Sequence, residues 1–328
     1  MSMPDRRPFD AIVCGTCVAD ILVRPVPLAT GIGSGTLFHV GPIEVTTGGI
    51  VANTGIGMAR LGMRVAAATL VGDDPWGTLI RARLAAEGLD VAAVETVGDA
   101  ATSTTAVLID PGGERSFAHH GGAPTAIDAG FFRRHAARFA TARLAVIGYV
   151  GLLPALERDV AAALAIVKAA GCLVALETAG DGGLLATVAP ALPLVDLYVP
   201  SLAEARHQTG LDDPRSIIAC YRSHGAAGVV GVKLGARGTL LSPRDGEWVE
   251  VPCLPAPGPV VDTTGAGDSL LAGLLTGTLR GHGPREAGLL GAAAAACCVT
   301  GLGATAGLRD YTSTARLAGI ESRSIDWR

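Results

Sequence analysis

The sequence predicts an α/β fold: a three-layer α/β/α core with a mainly parallel sheet, and a small antiparallel β lid. Two observations support this prediction. Apolar strand-like runs alternate with helical patterns over most of the 328 residues, which is typical of a parallel sheet covered by helices on both faces. Two stretches, 17–45 and 91–120, break the alternation with short β-type runs that no helix separates.

The core elements follow from apolar periodicity and from the positions of glycine, proline and polar residues. Strands are predicted at residues 9–15, 64–71, 144–148, 173–177, 194–199 and 228–233. Helices are predicted at residues 51–61, 75–87, 154–170, 202–209, 214–224 and from the glycine-rich turn near 265 to 279. The uncharged stretch 287–308 is long enough to cross a bilayer, but it is mostly Ala and Gly. It therefore predicts a buried helix followed by a loop.

The lid prediction rests on short β-type runs at residues 21–24, 36–40, 104–109 and 115–119. The turn Asp110-Pro-Gly-Gly113 lies between the last two runs and predicts a hairpin. We expect residues 1–16, 46–90 and 121–328 to form the core, and residues 17–45 and 91–120 to form the lid. Such a sheet could close over a cleft, decorate the core or pair with a second copy.

Composition excludes several classes of protein. The net charge is −4 and Lys168 and Lys233 are the only lysines, so a nucleic-acid or anionic membrane partner is not expected. The first ten residues make a poor signal peptide, and the seven cysteines have no framework spacing, which predicts a cytoplasmic protein with buried thiols. Cys14 and Cys17 are separated by two residues, but they lie in or next to a strand-like run rather than at the start of a helix.

The segment 260–273 is the richest in candidate chemistry. A polar glycine-rich turn is followed at once by an apolar helix, so the amides of Gly265, Ala266, Gly267 and Asp268 would form an anion cradle at the helix start. A carboxylate beside a bound phosphate would repel it. Asp268 therefore serves either as a base that takes a proton from an alcohol, or only as an acidic complement to the helix dipole.

The segment 46–62 is the second candidate. Gly48 and Gly49 permit close approach of the backbone to a ligand or a hinge, and the amide of Asn53 both donates and accepts hydrogen bonds. The alternative is an ordinary junction between a loop and a helix, with Asn53 capping the backbone.

Together these segments resemble the two signature motifs of the ribokinase-like (PfkB) carbohydrate kinase family. The first is similar to the family's Gly-Gly-x-x-x-Asn pattern running into Ala59–Gly62, and the second to its Asp-Thr-x-Gly-Ala-Gly-Asp motif, here residues 262–268. Residues 71–77, 102–115 and 233–238 resemble further family segments in the expected order. The resemblance covers nearly the whole chain.

The resemblance implies ATP-dependent phosphorylation of an alcohol on a sugar or sugar-like substrate. It makes Asp268 the catalytic base, with Gly265, Ala266 and Gly267 stabilising the transferring phosphoryl group. The implied substrate-binding residues are Asp20, Gly48, Gly49 and Asn53, and the implied nucleotide-binding residues are Lys233, Gly235, Gly238, Thr264 and Gly303. Glu204 would hold Mg²⁺ through water, and Asp262 would approach a monovalent cation, with K⁺ as the candidate ion. The loop 299–307 resembles the family's adenine edge, although a plain helix cap and turn would also explain it.

Two departures from the family pattern leave alternatives open. Ser201 stands where many members have Asn, which could change the magnesium water network. Ile50 follows Gly-Gly in place of a polar residue and indicates a substrate with an apolar portion, such as a nucleoside. The alternatives are therefore a nucleoside kinase or a non-catalytic sugar-binding regulatory protein.

No Walker P-loop is present, and Glu177 is left unassigned. The hairpin residues Arg115, His119 and His120 are expected mostly to face solvent. The alternatives are that an imidazole touches the substrate and that Arg115 contacts a substrate phosphate or carboxylate. A homodimer through the lid is expected from its exposed strand edges.

Overall fold

The computed structural model describes residues 7–29, 33, 35 and 37–323. The strands are β1 Phe9–Gly15, β2 Val18–Val23, β3 Glu44–Gly48, β4 Val65–Gly72, β5 Asp90–Val97, β6 Thr104–Ile109, β7 Arg115–His120, β8 Ala142–Gly148, β9 Leu173–Glu177, β10 Leu197–Tyr198, β11 Val229–Lys233, β12 Thr239–Ser242 and β13 Val249–Val251.

The helices are α1 Gly49–Arg60, α2 Pro75–Ala86, α3 Ala129–Arg134, α4 Ala136–Phe139, α5 Pro154–Glu157, α6 Val160–Ala169, α7 Leu185–Val188, α8 Leu202–Thr209, α9 Pro214–Ser223, α10 Ala266–Leu279, α11 Pro284–Cys298 and α12 Tyr311–Ala318. Short 3₁₀ turns occur at Ala123–Ala126, Val150–Leu152, Ala189–Leu194 and Gly235–Arg237.

A nine-stranded sheet forms the centre of the core, in the order β13-β12-β11-β10-β9-β8-β1-β4-β5. The pairings from β11 to β5 are parallel, and β12 and β13 add an antiparallel edge. The central strands β1 and β4 are almost wholly buried apolar runs. Such runs are expected where helices cover both faces of a sheet.

Two apolar clusters lie on opposite faces of this sheet. Ile12 and Cys14 belong to the cluster that also contains buried residues of α3, α6 and α9. Ala11 and Val13 alternate with them and belong to the cluster that contains residues of α1, α2, α10 and α11. Because successive side chains of a strand point to opposite faces, this division defines the predicted three layers.

A four-stranded sheet, ordered β3-β2-β6-β7, lies beside the carboxyl ends of the core strands. The β2–β3 and β6–β7 pairs are antiparallel, and Asp110 joins β6 to β7 by accepting hydrogen bonds from the amides of Gly112 and Glu114. The central β2–β6 pair is parallel. This differs from a wholly antiparallel lid because β2 and β6 leave the core after β1 and β5, which run in the same direction.

Several predicted elements differ from the observed ones. The predicted helix 154–170 is divided into α5 and α6 at Asp159, whose carboxylate caps α6 by accepting from the amide of Ala162. The predicted strand 194–199 is reduced to the two residues of β10. Of the predicted run 36–40, residue 36 lies outside the described residues, as do residues 1–6, and residues 37–40 form no strand.

The division between core and lid also differs at two places. Residues 46–48 were expected in the core, but they belong to β3 of the small sheet. Residues 91–97 were expected to begin the lid, but β5 pairs in parallel with β4 and forms an edge of the large sheet. Local β propensity cannot distinguish these two sheets, because the choice depends on pairing with a strand about 25 residues earlier. Five of the seven cysteines are buried as predicted, whereas Cys220 is partly buried and Cys253 is exposed.

Candidate active site

Two adjoining cavities lie where the core strands end and the small sheet begins. Thr16 follows β1, Tyr149 follows β8, and Glu177 and Lys233 are the last residues of β9 and β11. The first cavity has a volume of about 560 Å³ and lies under the small sheet. The second, of about 380 Å³, is lined by the turn that begins α10. Ligands of open α/β sheets bind at this edge, beyond the carboxyl ends of the strands.

The face of the small sheet that lines the first cavity is divided into a polar row and an apolar row. Strand register places Thr46, Asp20, Thr105 and His119 side by side, and the next row contains Leu22, Val107 and Phe117. Thr105 Oγ1 and His119 Nδ1 are 2.9 Å apart. Burial raises the pKa of Asp20 to about 6, and the Thr105 hydroxyl opposes part of that rise.

The carboxylate of Asp268 lies at the boundary between the cavities. Its Oδ2 accepts hydrogen bonds from Asn53 Nδ2 at 2.8 Å and from the Tyr149 hydroxyl at 2.7 Å. Asp268 is only 6% exposed, and burial raises its pKa although both hydrogen bonds and the nearby Lys233 oppose the shift. Asn53 and Tyr149 line the first cavity, while Asp268 itself lines the second.

Gly265 and Gly267 have different surroundings within the turn. Gly265 caps α10 in the left-handed region with φ of 75°, and a Cβ there would overlap Ala304. A Cβ on Gly267 would meet only Lys233 Nζ, at 3.6 Å. Gly265, Ala266, Gly267 and Asp268 all line the second cavity. The first amides of a helix have no intrahelical partner and can bind an anion, although the Ala266 amide here donates to the Thr263 carbonyl at 3.3 Å.

A buried ion pair forms another wall of the second cavity. Lys233 Nζ contacts Glu177 Oε1, and the two side chains are 11% and 3% exposed. Burial acts to lower the pKa of Lys233, but the carboxylates of Glu177 and Glu204 outweigh it and hold the pKa above its ordinary value. Lys233 therefore keeps its positive charge close to the turn.

Ser201 and Glu204 form a reciprocal cap at the start of α8. The Ser201 amide donates to Glu204 Oε2 at 2.6 Å, and the Glu204 amide donates to Ser201 Oγ at 3.3 Å. This capping box explains Ser201, since serine is among the best N-cap residues. Both residues line the second cavity.

Asp262 is tied to three backbone or lid groups. Its carboxylate accepts from the amides of Thr264 and Gly303, each at 2.7 Å, and its Oδ1 lies 2.6 Å from Arg115 Nη2. Burial opposes ionisation, but these donors hold the pKa of Asp262 below its ordinary value. Arg115 is thus partly buried between lid and core, rather than facing solvent.

The predicted site residues separate into the two cavities. Asp20, Gly49, Asn53, Asp262, Thr264 and Gly303 line the first, and Glu204, Lys233, Gly235, Gly265, Ala266, Gly267 and Asp268 line the second. Two of the predicted nucleotide-binding residues, Thr264 and Gly303, therefore face the cavity under the lid.

Two predicted glycines and Ile50 are placed differently from expectation. Gly48 lies against Asp20, which a Cβ would overlap, and Gly238 lies against Val251 and lines neither cavity. Ile50 is fully buried, packs against Gly15 and Gly148, and does not line the first cavity. Ile50 therefore cannot contact a substrate in this cavity, and the prediction of a nucleoside from Ile50 was wrong.

The sequence analysis missed several residues of the site. Tyr149 has a positive φ of 62° and binds Asp268, and Thr16, Thr105 and His119 line the first cavity. Thr16 and Tyr149 have one signal in the sequence, which is that each follows directly after a predicted strand. Glu177 was left unassigned, and His119 was expected to face solvent, with contact to the substrate as the alternative.

Comparison with known proteins identifies the family. Residues 15–310 match the pfkB family carbohydrate kinases. The chain belongs to this family. It is 29% identical over 267 residues to ribokinase of Haemophilus influenzae, covering 80% of this chain and 83% of that protein. It is 33% identical over 244 residues to fructokinase of Klebsiella pneumoniae, covering 72% and 78%.

The fold agrees with that of solved ribokinases. The structure of Arabidopsis thaliana ribokinase complexed with ribose and ATP superposes with a TM-score of 0.82 at 24% identity, over 95% of this chain and 99% of that one. As a PfkB carbohydrate kinase, the protein is a phosphotransferase with an alcohol group as acceptor. Every helix in the described part of the chain is too short or too polar to span a membrane.

Proposed function

We propose that this PfkB kinase transfers the γ-phosphoryl group of ATP to a hydroxyl of a sugar or sugar-like substrate held under the lid. The observation that carries the proposal is the position of Asp268 between the two cavities. Asn53 and Tyr149 engage its Oδ2, so the other oxygen remains available to take a proton from a hydroxyl in the first cavity.

In the proposed reaction, Asp268 accepts the proton of the substrate hydroxyl as that oxygen bonds to phosphorus. The bond from phosphorus to the bridging oxygen of ATP breaks, and ADP leaves with that oxygen. The amides of Gly265, Ala266 and Gly267 donate to the phosphoryl oxygens, and Lys233 adds positive charge beside them. Such fixed donors stabilise the charge of the transition state.

Magnesium is proposed as the metal at the second cavity, where it would neutralise phosphate charge. The described residues contain no preformed group of three or more metal-ligating side chains. However, Glu177 is 2% exposed and its Oε2 has no hydrogen-bond partner within the described ranges. An orphaned buried carboxylate oxygen fits a nearby hydrated cation, because Mg²⁺ in such sites usually keeps waters and few protein ligands. Glu204 is proposed to hold it through water.

The first cavity suits a polyol at one end. Thr16 Oγ1 and Asn53 Oδ1 are buried without hydrogen-bond partners in the described part of the protein, and both residues line the cavity. Substrate hydroxyls would satisfy them, since each hydroxyl both donates and accepts. Asp20 and the backbone at Gly48 and Gly49 complete the proposed sugar-binding end.

A nucleoside is the second candidate substrate, for a different reason from Ile50. Phe117 and Leu152 are apolar side chains that are 62% and 37% exposed, and both line the first cavity. A planar base attached to the sugar would cover them, while His119 could bond its polar edge.

The remaining proposals follow the family resemblance. ATP would occupy the second cavity, with Lys233, Gly235 and Gly238 on its near side and Thr264 and Gly303 toward the lid. The division into a core and a closing lid, a homodimer through the lid and a cytoplasmic location stay proposals.

A coupled assay of ADP release over a panel of sugars and nucleosides tests the function, with Asp268→Asn as the decisive variant. We expect kcat to fall about 10³-fold or more on the preferred substrate, with the KM for ATP little changed, because only the proton acceptor is lost. Asp212→Asn is the matched control, since that side chain is 86% exposed on the surface.

Each outcome of that panel selects one reading. Turnover of nucleosides but not free sugars selects the second candidate. Tight binding of a sugar with no turnover in any condition selects the non-catalytic protein. Near-normal turnover by Asp268→Asn would show that Asp268 is not the catalytic base.

A further inference from the structure

A lid arginine contacts the turn that carries the anion-binding amides. Arg115 is the first residue of β7, and its guanidinium crosses to the core, where Nη2 lies 2.6 Å from Asp262 Oδ1. Its Nη1 donates to the Thr264 hydroxyl. The two charged side chains are only 18% and 4% exposed, so water screens this pair weakly.

Asp262 has little capacity left for another cation. The Thr264 amide donates to Oδ1 and the Gly303 amide to Oδ2, both at 2.7 Å, in addition to Arg115. A K⁺ ion bound to the same carboxylate would lie within a few ångströms of the guanidinium and would be repelled by it. The residues present therefore do not fit the monovalent cation site that the family resemblance implies at Asp262.

We propose that the Arg115 guanidinium is itself the cation at Asp262, so that this kinase works without a bound monovalent cation. Arg115 lines the first cavity and is assigned a positioning role, because its guanidinium binds Asp262 and Thr264, which begin the turn leading to Gly265. Since β7 belongs to the lid, the charge also ties the position of the lid to that of the anion-binding turn. This inference rests on the proposed function in its kinetic consequences, but not in its cation binding.

The kinetic test compares potassium with choline chloride at equal ionic strength. For the unmodified protein we expect kcat and kcat/KM to agree within about twofold in the two salts. Arg115→Ala should lose about 10- to 100-fold in kcat in choline, because the turn loses its fixed position. Potassium or millimolar guanidinium should restore at least part of that loss, and Arg115→Lys should keep more activity than Arg115→Ala.

A second lid arginine supplies the control. Arg24 pairs with Glu44 on the surface, with 45% and 50% exposure, so Arg24→Ala should match the unmodified protein in both salts. Activation of the unmodified protein more than about fivefold by potassium would overturn the proposal, because a change of that size is typical of an ion whose binding is coupled to that of the substrate. Full activity of Arg115→Ala in choline would overturn it as well.

Thermal unfolding without substrates separates this inference from the proposed function. The Tm of the unmodified protein should be the same in potassium and choline, whereas potassium should raise the Tm of Arg115→Ala, because an ion that binds only the folded state stabilises it. If no acceptor is ever phosphorylated, the proposed function fails while these melting curves still decide the cation site. A potassium-dependent Tm in the unmodified protein overturns the inference.

Discussion

Asp20 shows how burial at a single residue can set the pH range of an enzyme. Its carboxyl lies in the polar row of the lid between Thr46 and Thr105, and burial raises its pKa to about 6. A group with a raised pKa is ionised only above that value. If the ionised form holds the substrate hydroxyls, binding should weaken as the pH falls through 6.

We therefore expect kcat/KM for the acceptor to fall about tenfold per pH unit below pH 6, since this parameter reports groups of the free enzyme. Asp20→Asn should remove this acidic limb of the pH profile, the fall of kcat/KM below pH 6. It should also lower kcat/KM at pH 8 by about 10- to 100-fold, the usual effect of losing a hydrogen bond to a charged group. The measurement is the pH profile of both proteins.

Thr105→Val is the matched control for Asp20. It removes the hydroxyl that opposes the rise in pKa, so the limb should move to higher pH. A limb that survives unchanged in Asp20→Asn would belong to another group, of which Asp268 is the nearest candidate because burial raises its pKa too.

Asp268 and its partners show what a single sequence can and cannot indicate about a site. The glycine-rich turn and the Gly48–Asn53 segment are contiguous, so their chemistry is visible in the sequence. Tyr149 follows β8, whereas Thr105 and His119 lie on β6 and β7, and only the tertiary fold brings these three residues to the lining of the first cavity. No local pattern records such a meeting.

Among the elements, α10 illustrates how two glycines of one turn serve different purposes. Gly265 is required by backbone geometry, with φ of 75° and Ala304 directly beside it. Gly267 has ordinary space for a methyl group next to Lys233. The fold does not require glycine at position 267. A ligand that approaches the turn from the cavity would explain it.

Alanine substitutions at these two positions should therefore separate stability from activity. Gly265→Ala should lower the free energy of unfolding by about 2–4 kcal/mol, through a disfavoured backbone conformation and overlap with Ala304. Gly267→Ala should leave stability equal or raise it by about 0.5–1 kcal/mol, since alanine favours a helix.

In kinetics the order of the two variants should reverse, with Gly267→Ala the more impaired of the folded proteins. Gly267→Ala should lose about tenfold or more in kcat, because the new methyl group keeps phosphoryl oxygens from the backbone amides. Urea unfolding and steady-state kinetics on both variants make the comparison. A stable Gly267→Ala variant with unchanged kcat would show that the transferring group does not lie against this turn.

The strands and helices were predictable where local pattern and final structure agree. The strands Phe9–Gly15, Thr104–Ile109 and Leu173–Glu177 and the helix Leu202–Thr209 have the predicted bounds. The edge strands β12 and β13 and the helix α12 were not predicted, since short or weakly patterned segments depend on their neighbours. The assignment of β5 failed for the same reason, because sheet membership is a long-range property.

At the scale of the whole molecule, the lid has two faces with different roles. Its inner face carries the polar row. There Arg115 of the lid binds Asp262 of the core, and Leu302 of the core packs against apolar residues of the lid. On its outer face, strand register aligns Val45, Ile21, Ala106 and Ala118 in an apolar row. Val45 is 43% exposed and the neighbouring Ile43 is 58% exposed, so part of this row remains uncovered in one copy of the chain.

The homodimer predicted from the sequence pairs exposed strand edges of the lid. We propose that a second copy of the chain also covers the outer row in such a dimer. Light scattering after size-exclusion chromatography should give twice the 33.0 kDa mass of one chain. Ile21→Glu combined with Val45→Glu should yield a monomer, because the two neighbouring like charges cannot pair with each other and burying unpaired charges in an apolar interface is strongly unfavourable. Phe117→Ser changes the cavity face instead and should remain a dimer. A mass of one chain for the unmodified protein at micromolar concentration would contradict the dimer, and the apolar outer row would then need another explanation.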